Sequence, residues 1–213
     1  MKKLLLSSFA AHTIQLVERL LPKPASELRA AYIPTAGDLY ENKDFISLDR
    51  AALEALGMEV LDIDLKSVCG AELAAVLDTV DVVLVAGGNT FYLLDWVRRS
   101  GFDTCIKKRI AEGLVYIGSS AGSILCCPTI AGALRFDPPE AAPQLVEYSG
   151  LGCVDFVIIP HAQKEKYAQR IAETTAELEE KGRQVMCLRD DQAVIVEGDS
   201  WEVVTVNTKA TLP

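Results

Sequence analysis

The chain has 213 residues, half of them hydrophobic and 24% charged, with 30 acidic residues against 21 basic and a formal net charge of −9. That composition excludes a disordered tail, a collagen-like fibre and a low-complexity linker. It also argues against a nucleic-acid binder, which needs a basic footprint. The length suits a single domain, and no run approaches the roughly 18 apolar residues of a membrane span.

Short apolar runs alternate with amphipathic stretches, the sequence form of βαβ units. Residues 4–8 read as a strand rather than a secretory leader, because Ser7 and Ser8 interrupt the apolar run after three leucines. Residues 12–21 read as a helix with Ile14, Val17 and Leu21 on one face, stopped by Pro22 and Pro24. A strand follows at 30–34, a helix at 45–56 closed by Gly57, a strand at 60–63 and a short helix at 71–77.

The apolar runs 81–86 and 114–117 each lead straight into small residues, and the first is followed by a helix through Phe91, Leu94 and Val97. Strands this uniformly apolar are covered on both faces, as in a parallel sheet. Residues 134–149 read as a long surface loop, 156–160 as a strand and 164–181 as a charged helix. Three short strands at 185–188, 193–196 and 201–206 end the chain. The pattern predicts one three-layer α/β/α domain with a mainly parallel sheet.

The six cysteines, Cys69, Cys105, Cys126, Cys127, Cys153 and Cys187, contain no C-x-x-C pair. They read as buried small hydrophobes in a reducing compartment, hence a cytoplasmic protein. No cluster of His, Cys or Asp has metal-ligand spacing, so neither metal nor cofactor is expected.

Gly118-Ser119-Ser120-Ala121-Gly122 is a G-x-S-x-G between a buried strand and a helix, the setting of a nucleophile elbow. The bland alternative is a glycine-rich turn that packs tightly or cradles a phosphate. A nucleophilic serine needs a base, and the chain has two histidines. His12 begins a helix and reads as structural, whereas His161 follows an apolar strand, on the side where open α/β sheets gather their sites. Gly87-Gly88-Asn89-Thr90 also follows a strand. Its glycines allow close backbone approach, Asn89 is a candidate substrate contact and Thr90 a candidate contact or helix cap.

Residues 81–94, 118–123 and Pro160-His161, in this order and spacing, resemble peptidase family S51. The resemblance implies a fold similar to class I glutamine amidotransferases (flavodoxin-like) and a Ser–His–acid site. It makes Ser120 the nucleophile, His161 the base, and the Gly88 and Ala121 amides the oxyanion hole. The implied activity is a serine exopeptidase on dipeptides or short peptides, with a preference for N-terminal aspartate. At the spacing of the family's acid this chain has Arg135, so Asp137 is the first choice, with Glu140 and Asp155 as alternatives. Tyr167 stands where the family's substrate-reading arginine belongs, leaving Lys164, Lys166 and Arg170 as candidates. An esterase, amidase or acyltransferase on the same elbow, or a non-catalytic binding protein, are the rival readings. A short peptide is the expected partner, with no nucleic acid or membrane, in a monomer or small homo-oligomer.

Overall fold

The computed structural model describes residues 1–206. Seven strands form the main sheet: β1 (Lys3–Ser7), β2 (Arg29–Ile33), β3 (Glu59–Asp62), β4 (Val82–Val85), β5 (Val115–Ser119), β8 (Gln192–Glu197) and β9 (Ser200–Thr205). Their order is β3-β2-β4-β5-β1-β8-β9. The first five are parallel, while β8 runs antiparallel to β1 and β9 antiparallel to β8. A separate parallel pair joins β6 (Val157–Ile159) to β7 (Val185–Cys187).

The three layers follow from the strand period of two. Leu4, Leu6, Val83, Val85 and Tyr116 point to one face, and meet α3 (Gly70–Leu77), α4 (Thr90–Ser100), α5 (Phe102–Glu112) and α6 (Ala121–Leu125). Their neighbours Leu5, Val82, Leu84, Val115 and Ile117 point to the other, and meet α1 (Ala10–Thr13) and α2 (Asp44–Ala55). β6 divides its side chains likewise. Ile158 enters the main core, while Val157 and Ile159 face α7 (Ala168–Glu180) through Leu178. No helix among the described residues is long and apolar enough to cross a membrane.

Three expectations change. Residues 12–21 are not one α-helix: α1 ends at Thr13 and a 3₁₀ segment covers Ile14–Arg19. The buried apolar residues of 12–21 are Ile14, Val17 and Leu20, spaced by three, which is the 3₁₀ repeat. Second, α5 lies where no helix was expected, between left-handed Gly101 and Gly113, burying Phe102, Ile106 and Ile110 at helical spacing. Third, only Cys126 and Cys127 are buried, while Cys69 and Cys187 are exposed.

Candidate active site

The carboxyl ends of the adjacent parallel strands β4, β5 and β1 open into one cavity of about 380 Å³. At the end of β5, Ser120 has φ 48° and ψ −105°, outside the regions a side-chain-bearing residue prefers. The chain holds it there from several sides. The Ser120 N–H donates to Ser7 O on β1 (3.0 Å), and the single Ser123 hydroxyl proton is shared between Ser7 O (2.7 Å) and Gly118 O (2.8 Å). Gly122 lets α6 lie against β4: a Cβ there would stand 2.1 Å from Val85 O. On the neighbouring β4 turn, Gly88 has φ +139°, and a Cβ on it would stand 2.0 Å from Ala36 O.

His161 stands just past β6 and also has a positive φ, 64°. Its Nε2 lies 3.2 Å from Ser120 Oγ, and its Nδ1 lies 2.5 Å from Asp190 Oδ1. Asp190 follows β7 as His161 follows β6, so the parallel pairing of the two strands sets the two groups side by side. Ser8, at the end of β1, ties the pair to the main sheet. Its Oγ accepts from His161 N (2.8 Å) and donates to Asp190 Oδ1 (2.7 Å). The second carboxylate oxygen takes Gln163 Nε2 at 2.5 Å and lies 3.5 Å from Lys164 Nζ. Burial alone would lift the Asp190 pKa. The hydrogen bond and charge of His161, the Ser8 hydroxyl and the Lys164 ammonium outweigh it, holding the carboxyl well below the usual range.

The other expected site residues fall in different places. The contact expected of Asp137 with His161 Nδ1 is made by Asp190. Asp137 lies on the cavity wall, but its Oδ2 accepts from Thr90 N (2.8 Å) and Thr90 Oγ1 (2.6 Å). Burial lifts its pKa, against the Thr90 bonds and the charge of His161. Glu140 is exposed in a 3₁₀ turn, and Asp155 lies beside Lys2 and Trp201 in a second cavity. Asn89 caps α4 instead of facing a substrate: its Oδ1 accepts from Tyr92 N (2.8 Å) and its Nδ2 donates to Pro138 O (3.1 Å). Gly88 and Thr90 line the cavity, and Ala121 is the first residue of α6, whose N–H precedes the first intrahelical bond.

Lys164 reaches the cavity. Arg170 donates to Arg135 O (3.3 Å), and Arg135 pairs with Glu173 and Glu177 of α7 (3.4 and 2.8 Å), so both arginines tie the loop to that helix. Lys166 sits over the Tyr167 ring at 4.9 Å. His12 reaches the cavity rim, its ring edge-on to Phe9.

One carboxyl is buried behind the elbow. Asp49 of α2 is fully enclosed; its Oδ1 accepts from Ala11 N (2.8 Å) and its Oδ2 meets no hydrogen-bond partner among the described residues. Burial pushes its pKa up to about 7, against the pull of Ser119 and the Ala11 amide.

Sequence reasoning missed Asp190, Ser8 and Gln163. The available signal was positional: Asp190 follows a short apolar run as His161 does, and ends of parallel strands share one side of a sheet.

The model of peptidase family S51 matches residues 4–204. An uncharacterized peptidase of Listeria innocua is 35% identical over 170 residues, covering 76% of this chain and 81% of the relative. Peptidase E of Streptomyces coelicolor is 32% identical over 197 residues, covering 90% and 76%. A crystal structure of a candidate peptidase E protein from Listeria monocytogenes EGD-e superposes with a TM-score of 0.89 at 28% identity, covering 97% of this chain and all of the other. With the family matched along nearly its whole length, the chain belongs to peptidase family S51 and is a serine-type peptidase.

Proposed function

We propose that the chain is an exopeptidase for dipeptides and short peptides, working through Ser120, His161 and Asp190. The observation that carries this reading is the continuous path from Ser120 Oγ through the imidazole to the Asp190 carboxylate, at 3.2 and 2.5 Å. With Nδ1–H donating to Asp190, Nε2 is free to take the Ser120 proton as Oγ attacks the scissile carbonyl. The Ser120 N–H is already committed to Ser7 O. The amides of Gly88 and Ala121 therefore receive the oxyanion. His161 then protonates the leaving amine, and a water activated by the same imidazole releases the acyl group from Ser120. A cavity of about 380 Å³ is at the small end of ligand sites, which favours a substrate of a few residues over a folded protein.

A serine-reactive fluorophosphonate tests the nucleophile: a single adduct on Ser120 of the folded protein, absent in Ser120→Ala, is the expected result. No adduct on Ser120 overturns the assignment. A panel of free dipeptides, capped peptides and simple esters tests the reaction, and turnover of esters alone would replace exopeptidase by esterase.

A further inference from the structure

The charges on the cavity wall are unevenly satisfied. Asp190 is fully engaged, by His161, Ser8, Gln163 and Lys164. Asp137 is not: Thr90 supplies both of its hydrogen bonds to Oδ2, and Oδ1 has no hydrogen-bond partner among the described residues. A half-buried carboxylate with a bare oxygen favours a cation beside it. The wall has none to spare. Lys164 is its only lysine or arginine among the described residues, and its Nζ is held 3.5 Å from Asp190 Oδ2 and 3.2 Å from His161 Nδ1. The rest of the wall is largely apolar, through Phe9, Phe45, Ile124, Phe136 and Tyr167.

We propose that the Asp137 carboxylate receives the α-ammonium of the substrate, and that the side chain of that N-terminal residue is apolar or aromatic rather than acidic. The proposal rests on Ser120 being the nucleophile. A peptide ammonium supplies the cation that Asp137 lacks, and Thr90 holds the carboxylate in place to meet it. An aspartyl side chain would meet two carboxylates and, among the described residues, no free lysine or arginine, since Arg170 and Arg135 are directed onto the loop and α7. Phenyl and aliphatic groups would instead bury area against the aromatic wall.

The test is kcat/KM for Phe-Ala, Leu-Ala, Asp-Ala and N-acetyl-Phe-Ala, with fluorophosphonate labelling of the same preparations. Phe-Ala and Leu-Ala should exceed Asp-Ala by at least about tenfold, and acetylation should cost Phe-Ala about 30-fold, as for a lost hydrogen bond to a charged group. Asp137→Asn should lower Phe-Ala by a similar factor, mainly through KM, and remove most of the discrimination against the acetylated peptide. Asp137→Glu should restore part of it. A preference for Asp-Ala, or equal losses on free and acetylated peptides in Asp137→Asn, overturns the proposal. If Asp137→Asn fails to fold, the wild-type profile decides by itself. Wild-type protein that leaves Ser120 unlabelled overturns the nucleophile reading and this proposal with it; labelling combined with an Asp-Ala preference overturns the cavity assignment alone.

Discussion

Ser120 stands just past β5 of the seven-stranded sheet and is held mostly by main chain: its N–H bonds Ser7 O, α6 is pressed against β4 at Gly122, and one hydroxyl, that of Ser123, joins in. His161 and Asp190 stand just past the two strands of the smaller sheet and are held by side chains, those of Ser8, Gln163 and Lys164. The first arrangement has no room for added volume but relies little on any neighbour's functional group. The second depends on which atoms its neighbours carry. One half of the site is therefore a packing problem, the other a hydrogen-bonding problem.

Substitutions separate the two halves. Asp190→Asn should have the largest effect, lowering kcat by about 10⁴-fold, because an amide no longer fixes the imidazole tautomer. The thermal midpoint should move by only a few degrees, and a kcat within tenfold of wild type would show that Asp190 does not orient the base. Gly122→Ala tests the packed half: a Cβ 2.1 Å from Val85 O should destabilise the fold by about 3 kcal/mol in urea titrations.

Asp49 tests the same half through pH. Its folded pKa of about 7 lies above the ordinary unfolded value of about 3.9. The folded state then binds the extra proton, and stability falls as pH rises from about 4 to about 7. Asp49→Asn does not titrate, so melts at pH 5 and pH 8 should show the variant gaining about 2 kcal/mol on the wild type between them. An equal difference at both pH values would mean that Asp49 ionises normally. Ser8→Ala should show the smallest effect, about tenfold in kcat, through one lost hydrogen bond to a charged group, with little change in KM.

The same division governs what the sequence makes legible. The elbow is local: a buried strand, five small residues and a short helix are contiguous, so Ser120 and its turn can be read directly. The proximity of His161 follows from a scarce residue type at a strand end. The acid is not local. Asp190 reaches His161 across a parallel strand pair with all of α7 between them, and nothing in the spacing of 161 and 190 encodes that. Asp137 is nearer in sequence to the elbow, but its Oδ2 is held by Thr90, whose hydroxyl points to the loop rather than capping α4, and it does not reach His161 Nδ1. The layered sheet was legible from uniformly apolar strands; the 3₁₀ segment after α1 was not, because spacings of three and of three-and-four differ by one residue over two turns.

The hydrogen bonds around Ser8 close a loop: His161 N to Ser8 Oγ, Ser8 Oγ to Asp190 Oδ1, and His161 Nδ1 back to the same oxygen. The imidazole is thus pinned at its backbone and at its ring, and neither side-chain torsion can turn without breaking a member of the loop. The consequence is one of motion and time. In the proposed mechanism the ring would stay in the rotamer that faces Ser120 from one turnover to the next, so that binding would have little rotational freedom to remove at this position and the cost of alignment would be met during folding.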